Sequence, residues 1–251
     1  MTTMNAIRWT RHFEENTPLN DALTLPGSAC LLPESVRRPL AESLAVFQLG
    51  ETGGGTRLRR HAAGLAAEAG WSGYPQAIDR FIAEEQSHGR LLARLVAHLG
   101  GSLRRKQWSN GLFRQLRGLA GLEFAIQMLL TAELVAEVYY GMLYLRAGDP
   151  AVRRVAGKIL RDEVSHLAFQ REFLAARLLR LTPAAQRLWC WQFVAVHAVT
   201  AVAVAWDHRH CLRVLGVTTS DFRRRSGTAC AAFVRRLRGE LAAAETQGAV
   251  S

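Results

Sequence analysis

Long stretches built from Ala, Leu, Arg and Glu dominate the chain, and alternating Val/Ile/Thr runs bounded by turns are scarce. Those residues are good helix formers, so the pattern predicts an all-α protein. Pro and Gly punctuate it. Residues 1–32 carry no clear helical period and are expected to form an irregular N-terminal arm. A first helix is expected to open near Pro39 and run toward Gly70, because Pro suits a first helical turn. Pro75 opens a second, closed by Gly100-Gly101. A third covers roughly 112–147 and stops at Gly148-Asp149-Pro150; a fourth runs from about 150 to 180. Thr182-Pro183 is an N-cap and N1 pair for a fifth reaching Gly216. Thr219 or Ser220 caps a sixth that ends near 244.

The joints between helices one and two, and three and four, are short, which makes antiparallel neighbours. The joint between two and three has about a dozen residues and reaches about 40 Å when extended. A 25-residue helix is about 37 Å long, so that joint can cross the whole molecule. With 251 residues and 49% apolar side chains, the chain can build one large domain with a sizeable core.

The segment Trp189–Trp206 (WCWQFVAVHAVTAVAVAW) has no formal charge and sits at the lower edge of membrane-span length. Gln192 and His197 interrupt it and no comparable segment accompanies it, so a helix buried in the molecule is expected, with no membrane partner. Net charge is +11 and the pI near 10.6, a balance that attracts nucleic acid or other anionic partners. Only Lys106 and Lys158 are lysines, the other 30 cations being Arg, a skew that base composition also produces. Cys30, Cys190, Cys211 and Cys230 form no C-x-x-C and no zinc spacing. The opening residues contain no apolar h-region, so reduced thiols in a cytoplasmic protein are expected.

The chemistry lies in a repeated motif. FIAEEQSHGRLL on the second helix places Glu85 and His88 three apart, on one face. ILRDEVSHLAFQ on the fourth repeats the spacing with Glu163 and His166. One Glu-x-x-His is weak; two, each on the second helix of a hairpin, are much stronger. A carboxylate and an imidazole on adjacent turns reach one metal ion, and iron and manganese accept such mixed oxygen and nitrogen donors. Further carboxylates are then needed to bridge the ions and balance charge. The first helix offers Glu42 or Glu51, the third Glu133 or Glu137. Glu133 lies about 22 Å from the end of its helix and Glu163 about 20 Å from the start of the next. Glu51 and Glu85 are level only if the first helix ends early, nearer Gly64.

On Glu51, on EEQSH at 84–88, on Glu133 and on DEVSH at 162–166, the chain resembles the ferritin-like superfamily of dimetal carboxylate proteins over about residues 40–180. Bacterioferritins, rubrerythrins, ribonucleotide reductase small subunits and several diiron oxygenases share that pattern. The resemblance implies a ferritin-like four-helix bundle over 33–181 with one long crossover, and two additional C-terminal helices over 182–251 packed on it. It implies Glu51, Glu85, His88, Glu133, Glu163 and His166 as ligands of two metal ions. Iron is the expected metal, and ligand type leaves a manganese–iron pair open. Glu84 and Asp162 would hold the His of the opposite motif. The chain departs from the p-aminobenzoate N-oxygenase type, whose extra His falls here on Ile159. It departs from storage ferritins in its helices after 180, which puts cage assembly in doubt.

The leading expectation is therefore a diiron oxidase or oxygenase using O₂ on a small organic substrate, with an unidentified electron donor and a homodimer as one option. A ferroxidase is the alternative, and a tRNA-modifying diiron hydroxylase, suggested by charge, a further one. Other residues carry dual readings. Gly53-Gly54-Gly55 either breaks the first helix or admits a close neighbour. Tyr139 and Tyr140 are core aromatics or partners of a ligand. His197 is expected to be a satisfied core residue. His208 and His210 are expected to complement a helix dipole, and the Arg-rich tail to form a solvated face.

Overall fold

The computed structural model describes residues 4–26, 29–53, 55–68, 70–104 and 122–248, and these are all-helical, with no strand among them. The helices are α1 (Ala6–Asp21), α2 (Glu34–Glu51), α3 (Thr56–Leu65), α4 (Tyr74–His98), α5 (Leu122–Arg146), α6 (Pro150–Leu178), α7 (Pro183–Asp207), α8 (Arg209–Val214) and α9 (Thr219–Gly248). The expected crossover, the helical start at 112–121, Lys106 and Gly54 lie outside the described residues.

The punctuation works as expected at most ends. Asp149 caps α6 by accepting hydrogen bonds from the backbone N–H groups of Ala151 and Val152, with Pro150 opening the helix. Thr182 caps α7 ahead of Pro183, and α4 closes on Gly100 at φ +69°.

Besides the expected fifth helix, which stops at Asp207 and is followed by the short α8 instead of running to Gly216, two stretches differ from expectation. The first is the N-terminal region, which is not an irregular arm: Asn5 caps α1, and Trp9, Phe13 and Asn20 are buried on one face. The face reads Trp9, Phe13, Asn16, Asn20, so its apolar stripe turns polar halfway and a hydrophobic period misses it. The second is the expected first helix, which is two helices. It breaks after Glu51, and Gly55 turns the chain at φ +62° against Ile82, whose side chain would meet any Cβ there at 2.3 Å. Both readings of the glycine run hold at Gly55: it breaks the helix and admits a neighbour.

Directions follow from pairwise contacts. Gly157 faces Tyr144 and Gly141 faces Leu160, so α5 and α6 are antiparallel. Gly101 faces Ala41 and Gly89 faces Thr52 and Glu51, so α2 and α4 are antiparallel. His88 meets Asp162 and His166 meets Glu84, so α4 and α6 are antiparallel, and α4 therefore runs with α5. α1 lies along α4 in the same direction, with Asn16 on Glu84, Asn20 on Ser87 and Asp21 on Arg90. α7 and α9 pack on each other and on α5, while α8 touches α2.

Two apolar clusters make the core. One gathers Phe13, Phe81, Phe169, Phe173 and Phe193; the other gathers Leu44, Leu91, Tyr139, Val155 and Phe222. Helices Ile126–Arg146 and Pro183–Asp207 are both long and apolar enough to cross a membrane, so the uncharged run at 189–206 is not without a counterpart as expected. α7 is buried on one face only: Trp189, Phe193, His197 and Ala201 point inward, while Leu188, Trp191, Val199, Val202 and Trp206 are exposed.

Candidate metal centre

Helical spacing sets the first layer of the site. On α4, Glu85 and His88 stand on one face; on α6, Glu163 and His166 do the same, and antiparallel packing turns the two faces toward each other. His166 Nδ1 lies 3.0 Å from Glu85 Oε1 and 3.5 Å from Glu163 Oε2. His88 Nδ1 lies 3.7 Å from Glu85 Oε1 and 3.9 Å from Glu163 Oε1. Glu133, on α5, brings Oε2 to 3.5 Å from His166 Nδ1. Glu51, the last residue of α2, is buried with the other acids, and Tyr140 donates to its Oε1 at 3.0 Å. The structure thus gathers all six expected residues. Glu42 pairs with Arg38 at the surface, where it has no part in the cluster.

The depth mismatch between Glu51 and Glu85 disappears because α2 stops at Glu51 and α3 starts a new course. Gly89, directly after His88, lets α2 come close: a Cβ there would stand 3.0 Å from Thr52 Cγ2 and 3.5 Å from Glu51 Cβ.

A second layer fixes the imidazoles. His88 Nε2 meets Asp162 Oδ2 at 2.9 Å, and His166 Nε2 meets Glu84 Oε2 at 3.2 Å. Each motif's outer acid holds the other motif's His, as the resemblance implies. A carboxylate only accepts, so both Nε2 atoms carry hydrogen and each ring turns its Nδ1 inward. Asn16 of α1 donates to Asp162 Oδ1 at 2.8 Å and also to Glu84, bridging the two outer acids. Lys158, one turn before Asp162, donates to both its oxygens at 2.6 and 2.7 Å and to Asn16 Oδ1 at 3.0 Å. Gln170 donates to Glu133 Oε1 at 3.1 Å.

The electrostatics are those of acids short of cations. Burial, then the neighbouring carboxylate of Glu85, pushes Glu51 well above the ordinary range. Burial and Glu133 do the same to Glu163, and both also raise Glu85. Glu133 is pulled down: burial raises it, but the closeness of Glu163 and His166 outweighs that. Burial alone would keep His166 neutral, yet the charges of Glu85, Glu133, Glu163 and Glu84 raise it well above an ordinary imidazole. Asp162 is held far below the usual carboxylate range; burial opposes this, and His88, Lys158 and Asn16 overcome it.

Four buried polar atoms facing this space have no hydrogen-bond partner: Glu85 Oε1, His88 Nδ1, Glu163 Oε2 and His166 Nδ1. The 3.0 Å approach of His166 Nδ1 to Glu85 Oε1 does not have hydrogen-bond alignment. Leaving such atoms unpaired in a dry interior is costly. Ligand atoms of Glu85, His88, Glu163 and His166 all lie within 4.8 Å of one another, so the group could hold a metal ion. Oxygen and nitrogen donors without sulfur fit a hard to borderline cation. Phe81 and Phe13 stand edge-on to His166, with ring centres 4.7 and 5.8 Å away, and close that side with apolar surface.

Among the histidines singled out in the sequence, His197 and His208 have buried partners. His197 is buried, with Nε2 3.0 Å from Ser226 O and 2.9 Å from its Oγ. His208 does not complement a dipole as a cation. It is buried beside Ser43 Oγ at 2.6 Å, and burial lowers its pKa to about 4. His210 is exposed, as are Arg223, Arg224, Arg225, Arg235 and Arg236 on α9. Tyr139 and Tyr140 are both fully buried; Tyr139 bonds Ser43, and Tyr140 bonds Glu51.

No family model, curated protein or solved structure matches the chain.

Proposed function

We propose that the chain is a ferritin-like dimetal protein whose centre binds two iron ions and carries out O₂-dependent oxidation. The observation that carries this reading is the crossed pairing: two Glu-x-x-His motifs aim unpartnered ligand atoms into one buried space, and each outer acid holds the opposite His. The parallel course of α4 and α5, between the antiparallel pairs α2–α4 and α5–α6, is the arrangement a long crossover produces. Four inner carboxylates offset the charge of two divalent cations, which removes the cost of burying those acids alone.

Glu85, His88, Glu163 and His166 would hold the metals, with Glu51 and Glu133 as the remaining carboxylates. Bound there, a redox-active metal pair would supply the electrons for O₂-dependent oxidation. Asp162 and Glu84 keep each imidazole lone pair pointing inward by accepting the Nε2 hydrogen. Lys158 and Asn16 keep Asp162 ionised for that task. Tyr140 and Gln170 each restrain one carboxylate by donating to it, leaving its second oxygen for the centre. Phe13 and Phe81 exclude water from the His166 side.

A narrow apolar pocket lined by Ile78, Phe81, Phe169, Phe173 and Gln170 adjoins this shell, and its free volume is about 10 Å³. That is about the room of one water molecule. A second reading, in which iron itself is oxidised, needs no cavity for an organic substrate beside the centre. The experiment is an anaerobic Fe(II) titration of metal-free protein, followed by oxygen exposure with uptake recorded. Saturation near two irons per chain with one round of oxidation supports the enzyme, and continued oxidation of added iron supports the ferroxidase. Glu133→Ala and His166→Ala should each abolish loading; full loading in both would sink the assignment.

A further inference from the structure

A second cluster of ligand-type side chains lies outside the carboxylate centre. Cys30, in the connection between α1 and α2, His98, the last residue of α4, and Asp149, the N-cap of α6, bring one ligand atom each to within 4.8 Å of the others. His98 is ten residues beyond His88, about 15 Å along α4, so the two clusters are separate. We propose that Cys30, His98 and Asp149 form a zinc site that clips three sequence-remote segments together at this end of the molecule.

The donor set argues for the metal. One thiolate, one imidazole and one carboxylate are a zinc-type combination, and sulfur sets this site apart from the oxygen-rich centre. His98 Nε2 and Asp149 Oδ2 share a hydrogen bond of 3.1 Å, which a metal ion would replace; the spacing is close to the roughly 3.3 Å edge of a tetrahedron built on zinc–ligand distances of about 2.0–2.1 Å. Asp149 is positioned by the fold: its Oδ1 accepts from Ala151 N at 2.8 Å and Val152 N at 3.0 Å, leaving Oδ2 for the cluster. Asp149 is 5% exposed and the His98 side chain 11%, so water competes weakly at those two ligands. Cys30 is more open and supplies the way in. Burial and the neighbouring Asp149 carboxylate push the Cys30 thiol up, against the Leu32 backbone N–H and the Arg37 guanidinium, so a metal ion has to displace the thiol proton. Three protein ligands leave the fourth position to water or a small anion. On binding, the Cys30 thiol gives its proton to solvent, so the site fills less well as pH falls.

The test uses Co(II) on the full metal-free chain. Only a thiolate ligand gives the near-ultraviolet sulfur-to-cobalt charge-transfer band, and no cysteine belongs to the carboxylate centre. A band that appears at one Co(II) per chain, is bleached by one Zn(II), and persists in a Glu163→Gln/His166→Gln variant is the expected result. Cys30→Ser should abolish the band, and His98→Asn should weaken Co(II) binding about tenfold or more, while Fe(II) loading stays unchanged in both. Absence of the band, or its retention in Cys30→Ser, would overturn the proposal. Neither outcome depends on the carboxylate centre, whose iron is read separately.

Discussion

Asn16 shows how much a single amide can organise. It donates to both outer acids of the centre and accepts from Lys158, so three ionisable groups from two helices share one neutral partner. Asn16→Ala and Lys158→Met should each weaken Fe(II) binding, by about 10- to 100-fold as is usual for groups behind metal ligands, with helical circular dichroism unchanged. An unchanged titration would show that the outer acids hold the imidazoles without help. Gly89→Ala presses a methyl onto Thr52 and Glu51. Overpacking of that kind costs about 1–3 kcal/mol, against a gain of up to about 1 kcal/mol in helix propensity; thermal melts should show net destabilisation together with poorer metal loading. The ligand pairs were legible in the sequence because i, i+3 spacing is a local rule that any helix obeys. Asn16 and Gln170 were not legible as partners, because what they touch lies 68 and 37 residues away; Tyr140, read as a core aromatic or a ligand's partner, is buried and bonds Glu51. Gly89 left a faint signal: a glycine inside a good helical run needs a reason. Lys158 left another, as one of two lysines among 32 cations.

Helix ends marked by Pro, Thr, Asp and Gly were the most readable elements, since capping is chemistry within a few residues. Thr182→Ala removes the hydroxyl that accepts from Ala185 N and should lower unfolding stability by about 1 kcal/mol, measurable by denaturant titration; no change would mean that packing alone sets the start of α7. α1 was illegible for the opposite reason. Its inward face carries Asn16 and Asn20 where a periodic reading looks for apolar residues, because this helix covers a polar centre as well as an apolar cluster. The break after Glu51 was readable as three glycines but not as a solution to register. It lets Glu51 end its helix level with Glu85 while α3 takes another path. For α7, the uncharged run foretold burial, and half of that holds: the helix buries one face against α5 and α9 and presents Trp191, Val199, Val202 and Trp206 outward.

Across the whole molecule, the apolar pattern gave the helical class, while the polar interior decides its response to acid. His208 is buried, which lowers its pKa from 6.5 to about 4. The unfolded chain therefore takes up a proton at a pH where the folded chain does not. Stability from this residue is complete above about pH 6.5 and is lost as pH falls toward 4. The loss is on the order of 3 kcal/mol, at about 1.4 kcal/mol per pKa unit. His208→Gln should flatten the melting temperature between pH 6.5 and 4; an equally steep profile would place the acid sensitivity elsewhere. Chain order adds a further consequence. Asn16, Glu51, Glu85 and His88 leave the ribosome well before Glu133, Glu163 and His166, so during synthesis the first half of the centre is a row of acids without its counterpart. A metal ion could meet the complete cluster only once about two thirds of the chain has emerged, and the nascent first half must wait, protonated or solvated, for the second to arrive.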